Sequence, residues 1–138
     1  MSHGNGKRTL IDALKACGAV KFGDFTLASG KKSSYYIDIK KASTDPKTLK
    51  IIAKEAGKVI KDMNLDAVGG VVLGGVPLAT AVSMETDLPL ILIIVAIREA
   101  GAVVDSVITV VDRESGAEKS LSDIGVKLVP LVRASDLI

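Results

Sequence analysis

The sequence predicts an α/β fold: a parallel sheet flanked by helices, with a small hairpin appended near the N-terminus. Three observations carry that expectation. Aromatic residues are scarce, with two Tyr, two Phe and no Trp in 138 residues, so the core must be Val, Ile, Leu and Ala, which suits strands buried on both faces. Apolar runs of strand length alternate with helical periodicities, the order of βαβ units with right-handed crossovers. Finally, Val68-Gly69-Gly70-Val71-Val72-Leu73-Gly74-Gly75-Val76-Pro77-Leu78-Ala79-Thr80 passes from a β-branched run through a Gly-Gly pair to a proline placed for a first helical turn. Such a strand-to-helix switch lets backbone N–H groups converge on an anion at a helix N-terminus. A tight turn that binds nothing is the competing reading of the stretch taken alone.

In chain order, Leu10, Ile11, Leu14 and Cys17 recur at helical spacing with Gly18 as a stop, which predicts a helix over Lys7–Ala16. Val20–Phe22 and Phe25–Leu27 flank Gly23-Asp24 and read as a small hairpin. A polar loop, Ala28–Ser34, precedes a strand at Tyr35–Ile39. Thr44-Asp45-Pro46 supplies a cap and an N-terminal proline for the longest helix, whose face is Leu49, Ile52, Ala53, Ala56, Val59, Ile60 and Met63, with Asn64 at its end. Ala67–Leu73 is predicted as a buried strand, Pro77–Thr86 as a helix and Leu90–Ile93 as a second buried strand. Val103–Asp112 follows as a strand, Ala117–Ile124 as a short helix, Lys127–Leu131 as a last strand and Ala134–Ile138 as a terminal turn.

With 48% hydrophobic and 25% charged residues the chain is globular, and its length fits one domain over 1–138, with a hood made of 1–45 and the C-terminal part and a core at 46–131. Cys17 is single, so there is no internal disulfide and no cysteine metal set, and a reducing cytoplasm is the expected location. It lies on the apolar face of the first helix and reads as buried filler. The longest apolar run, Leu88–Ile97, is about half of a membrane span. Net charge is +2, but residues 1–61 carry +8 and residues 62–138 carry −6. A basic half suits an anionic ligand, either nucleic acid or a phosphorylated small molecule. The lysines at 47, 50, 54, 58 and 61 read as a solvated helix face. Without an aromatic stacking sheet or a basic motif, nucleic acid is the weaker choice.

One place breaks the pattern. Leu90–Ile97 is unbroken and apolar, and Arg98–Ala102 then reads like a helix end with no turn between them. Either the strand runs to Ile97 with a hairpin loop at Arg98–Ala102, or residues are missing between strand and helix.

Three separated segments carry a family resemblance. Phe25-Thr26-Leu27-Ala28-Ser29-Gly30-Lys31-Lys32-Ser33-Ser34-Tyr35-Tyr36-Ile37-Asp38 resembles the N-terminal hood of archaeal or bacterial orotate phosphoribosyltransferases. Val72–Thr80 resembles their pyrophosphate turn, and Val111-Asp112-Arg113-Glu114-Ser115-Gly116-Ala117 their late orotate-gripping loop. The ending Val132–Leu137 is also similar, so the resemblance spans the chain in order. It implies a phosphoribosyltransferase-like α/β sheet with an N-terminal hood and the conversion of orotate and phosphoribosyl pyrophosphate to orotidine 5′-monophosphate and pyrophosphate. It further implies Mg²⁺ carried on the pyrophosphate and ribose oxygens, and a homodimer.

By the same resemblance Leu73, Gly74, Gly75 and Val76 line the pyrophosphate. Arg113 pairs with the orotate carboxylate, Tyr36 and Ile37 lie near the orotate ring, and Lys31 and Lys32 stand at the hood. A solvated loop is the competing reading for both lysines. For Arg113 it is a surface ion pair with Asp112 or Glu114. Ala28 stands where many members have Lys. Two family elements have no counterpart at Ile93–Ala96: the basic loop over the pyrophosphate, and the core strand whose acidic pair and Thr/Gly turn hold the ribose 5-phosphate. An internal deletion would shorten the sheet by one core strand, expose strand edges and favour a swapped assembly. Three outcomes follow: an ordinary enzyme, a transferase with little activity, or an α/β scaffold without catalysis.

Overall fold

A computed structural model describes residues 2–91 and 101–138. Helix α1 (Ser2–Ala16) leads into strand β1 (Val20–Thr26), which pairs antiparallel with β2 (Lys32–Ile37). A short helix α2 (Ile39–Ser43) and the long α3 (Pro46–Ile60) follow. Strand β3 (Val68–Gly69) feeds α4 (Gly75–Thr86) and pairs in parallel with β4 (Leu90–Ile91). The C-terminal part is β5 (Ser106–Asp112), α5 (Ala117–Ser122) and β6 (Lys127–Arg133), with β5 and β6 parallel, and a 3₁₀ turn at Ala134–Asp136. The architecture is α/β, with two parallel strand pairs and an antiparallel hairpin. No helix among the described residues is long and apolar enough to cross a membrane.

Local chemistry explains the boundaries. Gly18, at φ 78, closes α1: the Ala19 N–H donates to the Leu14 carbonyl at 3.0 Å and the Gly18 N–H to Lys15 at 3.2 Å. That paired closure needs a left-handed residue, which glycine adopts without a Cβ penalty. Asp45 caps α3, its Oδ2 accepting the Thr48 N–H at 2.8 Å, with Pro46 in the first turn where its missing N–H costs nothing. Leu10 and Leu14 of α1 are fully buried and meet Ile52 of α3, Val20 and Ile37 of the hairpin, Val110, Val111 and Val132 of β5–β6, and Leu137. One apolar cluster therefore joins the two ends of the chain to the hairpin and to the β5–β6 pair.

Several expectations are corrected. The Gly23-Asp24 pair is not a hairpin turn: Phe22 faces Tyr35 and Phe25 faces Ser33, so the pair sits in an irregularity within one continuous strand, with Gly23 at φ 153. The turn lies at Leu27–Lys31 instead, where the Leu27 N–H donates to the Lys31 carbonyl at 2.9 Å. Hence β2 begins at Lys32 and ends at Ile37, because Asp38 turns the chain by capping α2, a helix too short to show periodicity.

The strand expected over Ala67–Leu73 is ordered as strand only at Val68–Gly69. Val71, Val72 and Leu73 are exposed, since the chain leaves the sheet at Gly70 to form the turn before α4. Helix α4 begins at Gly75, with Pro77 inside its first turn, while β5 begins at Ser106 and leaves Val103 exposed. In the opposite direction, α1 starts ahead of Lys7 and β6 continues to Arg133. Cys17 is partly exposed, packing at the margin of the core. The pattern break at Ile93–Ala96, and the strand residues beyond Ile91, lie outside the described residues.

Candidate functional site

Two clusters of chemistry-bearing residues stand at the ends of β strands. The first is the turn between β3 and α4. Gly70 and Gly75 cross so closely that a Cβ on Gly70 would overlap the Gly75 carbonyl, and one on Gly75 would lie 3.1 Å from the Gly70 carbonyl carbon. Gly70 therefore demands glycine for packing, while a Cβ at Gly75 would require the Gly70 backbone to give way slightly. Gly74 differs: a Cβ there meets nothing within 4 Å, and its φ of −64° suits any residue. The Val72–Leu73 peptide is cis. Within the turn, the Gly75 N–H donates to Val71 at 2.8 Å and the Val76 N–H to Leu73 at 3.2 Å. Helix α4 has no side-chain cap and no acidic residue in its first turn, so its positive end faces outward without a built-in anion. Leu73 and Gly74 are exposed, Gly75 and Val76 half-buried.

The second cluster joins the hood to the end of β5. Arg113 Nη2 donates to the Ile37 carbonyl at 2.8 Å, so the late loop meets the last residue of β2. Tyr36, 40% exposed, stacks against Phe25 with ring centroids 5.7 Å apart. Arg113, an exposed residue, is thus tied to the backbone of the strand that carries Tyr36 and Ile37. Lys31 and Lys32 are not part of this cluster. Lys32 opens β2, about 17 Å from Ile37 at the rise of a strand, and Lys31 precedes it in the turn. Lys32 Nζ donates to Thr26 Oγ1 at 2.9 Å across the hairpin, and both lysines are exposed.

The surface ion pair that competes for Arg113 does not form among the described residues. Asp112, 5% exposed, faces its cross-strand neighbour Arg133, with Oδ2 3.6 Å from Arg133 Nη1, and its Oδ1 accepts the Glu114 N–H at 2.9 Å. Glu114, at φ 58, turns away, and its Oε2 accepts the Ser135 N–H at 2.9 Å. The terminal turn is itself tied down. Asp136 Oδ2 accepts the Arg133 N–H at 2.8 Å and pairs with Lys7 Nζ of α1 at 2.8 Å. The Lys7 bond, then the Arg133 N–H, holds the Asp136 carboxyl below its ordinary pKa of 3.8.

This network of Lys7, Asp112, Glu114, Arg133, Ser135 and Asp136 was not visible in the sequence. The sole hint was the similarity of the ending Val132–Leu137, which named no contact.

No group of three or more His, Cys, Asp or Glu stands together among the described residues.

No family model matches the chain. Curated relatives do. The chain is 54% identical to the orotate phosphoribosyltransferase of Methanosarcina mazei, over 171 residues that include 96% of this chain and 91% of the relative. To the enzyme of the same name from Methanocaldococcus jannaschii it is 38% identical over 170 residues, 95% of this chain and 96% of that one. Since 96% of 138 residues is about 132, the M. mazei alignment holds about 39 positions with no counterpart here. Among solved structures, orotate phosphoribosyltransferase from Aeropyrum pernix superposes with a TM-score of 0.82 at 27% identity, covering 93% of this chain and 96% of that one. Leishmania donovani UMP synthase gives 0.85 at 29% identity over 94% of this chain and 36% of its own.

Proposed function

Because this chain belongs to the orotate phosphoribosyltransferase family, we propose that Arg113 receives the orotate carboxylate and that the Leu73–Val76 turn receives the pyrophosphate of phosphoribosyl pyrophosphate. The function is transfer of the phosphoribosyl group to orotate. In that reaction a bond forms between the orotate ring nitrogen and the ribose carbon. The bond to pyrophosphate breaks with its electron pair going to the leaving oxygen, and orotate gives up its N–H proton.

The observation that supports the assignment is the 2.8 Å bond from Arg113 to Ile37, which ties an exposed arginine to the strand that carries Tyr36. Arg presents parallel N–H groups that match a carboxylate, and the ring of Tyr36 offers a face for the flat pyrimidine. At the other wall, the outward-facing N-terminus of α4 supplies partial positive charge where the leaving group becomes more negative. Lys31 and Lys32, at the hairpin tip, lend positive potential at a distance. Mg²⁺, bound through the substrate's phosphates, supplies further charge neutralisation. A homodimer or swapped assembly and a cytoplasmic location accompany this reading. The exposed Val71, Val72 and Met84 support the assembly, and the single Cys17 supports the location.

The positions without a counterpart bear on rate. We place them at Ile93–Ala96, where the apolar run meets Arg98 without turn residues. They would include the cradle for the ribose 5-phosphate, so binding energy from that remote group is not available to orient the reacting carbon. The test compares orotidylate formation by this chain and by the M. mazei relative under identical Mg²⁺ and substrate concentrations. This chain is expected to be slower by at least about 100-fold, while still binding orotate. Equal rates would contradict the placement of the missing positions, and absence of orotate binding would contradict the site.

A further inference from the structure

We propose that Glu114 is a positioning residue that keeps Arg113 open to a substrate carboxylate, an inference that rests on the reading of Arg113 given above. The sequence Asp112-Arg113-Glu114 places one cation between two acids, and in a loop either carboxylate lies within Coulombic reach of the guanidinium. The fold commits both acids elsewhere. Asp112 is buried against Arg133 and holds the Glu114 N–H. Glu114 adopts φ 58, a left-handed conformation disfavoured for a residue with a Cβ, and its Oε2 accepts the Ser135 N–H at 2.9 Å. The reversal at Glu114 sends two consecutive side chains to opposite partners, Arg113 to Ile37 and Glu114 to Ser135. A carboxylate accepting a backbone N–H is a charge-assisted bond, strong enough to compete with a solvated ion pair to Arg113. The Ser135 N–H thus sequesters a charge that would otherwise compete with the substrate for the same guanidinium.

Two variants separate this role from a merely structural one. Ser135→Pro removes the N–H and leaves the Glu114 carboxylate free. Ser135 is the second residue of the terminal 3₁₀ segment, so its N–H serves no helix bond, and the double variant, which carries the same proline, controls for its effect on the backbone at Ala134. The double variant Ser135→Pro/Glu114→Gln also lacks the clamp but carries no competing charge. Orotate affinity is measured by calorimetry against uracil, which has the same ring without the carboxylate. S135P is expected to weaken orotate about tenfold with uracil unchanged, and the double variant to restore orotate to within about threefold. A single variant that binds orotate normally, or a double variant no better than the single, would overturn the proposal. Proton–nitrogen NMR of the Arg113 guanidinium gives a second readout that needs no ligand. Its signals are expected to shift in S135P and return in the double variant, and signals unchanged in S135P would overturn the proposal. Failure of the unaltered chain to bind orotate refutes the substrate reading instead, and the NMR comparison still decides the role of Glu114.

Discussion

Arg113 donates to the Ile37 carbonyl at 2.8 Å across 76 residues of sequence, joining the loop after β5 to the end of the hood strand β2. The bond ties the loop that carries the proposed orotate-binding arginine to the hood, while the acids at 112 and 114 are engaged elsewhere. Replacing Arg113 by Lys retains the charge and removes the fork. Orotate affinity is predicted to fall about tenfold or more, with a modest drop in melting temperature from loss of the bond to Ile37. Calorimetric titration checks the first part and thermal unfolding the second.

Two glycines of the turn before α4 are predicted to behave oppositely. Gly70→Ala forces a Cβ into the Gly75 carbonyl and should cost about 1–3 kcal/mol in urea unfolding. Gly74→Ala, at a helical φ with open space around it, should stay within about 0.5 kcal/mol. If the turn holds pyrophosphate, the same methyl at Gly74 crowds the anion and weakens phosphoribosyl pyrophosphate binding severalfold. An unchanged affinity would remove Gly74 from the site.

Leu14 is fully buried where α1 meets the C-terminal turn and β5–β6. Leu14→Ala is predicted to destabilise by about 2–5 kcal/mol, read from the urea midpoint. A change below about 1 kcal/mol would mean that α1 does not anchor the chain ends.

Acid should loosen the terminal turn. Lys7 and the Arg133 N–H hold the Asp136 pKa below its ordinary 3.8. The stability this supplies is complete above about pH 4 and is lost as pH falls through the lowered value. Asp136→Asn is predicted to lower the melting temperature at pH 7 and to flatten its decline below pH 4, measured by thermal unfolding from pH 2.5 to 7. A parallel decline in both proteins would contradict the assignment.

What the sequence made legible follows from the range of each interaction. Capping at Asp45 and the stop at Gly18 are local, and each appears where residue chemistry puts it, whereas α3 ends at Ile60, a turn short of the expected Met63 and Asn64. The pairing of Arg113 with the Tyr36-Ile37 strand was legible only through the family resemblance, because no local pattern links positions 76 residues apart. The hairpin turn was misplaced because Gly-Asp serves a turn and a strand irregularity equally well, and the cross-strand register that distinguishes them is not local. The Ala67–Leu73 run reads as buried strand from its apolar residues, yet Val71–Leu73 are exposed beyond the crossing of Gly70 and Gly75. The Glu114–Ser135 bond was invisible for a further reason: it depends on a left-handed backbone at a residue whose type gives no sign of it.

The most direct test is an orotate titration in the presence of phosphoribosyl pyrophosphate and Mg²⁺, comparing the unaltered chain with Arg113→Ala. The account predicts saturable orotate binding by the unaltered chain and binding at least about tenfold weaker in the variant, with both proteins equally folded by circular dichroism. Equal affinity in the two proteins would contradict it.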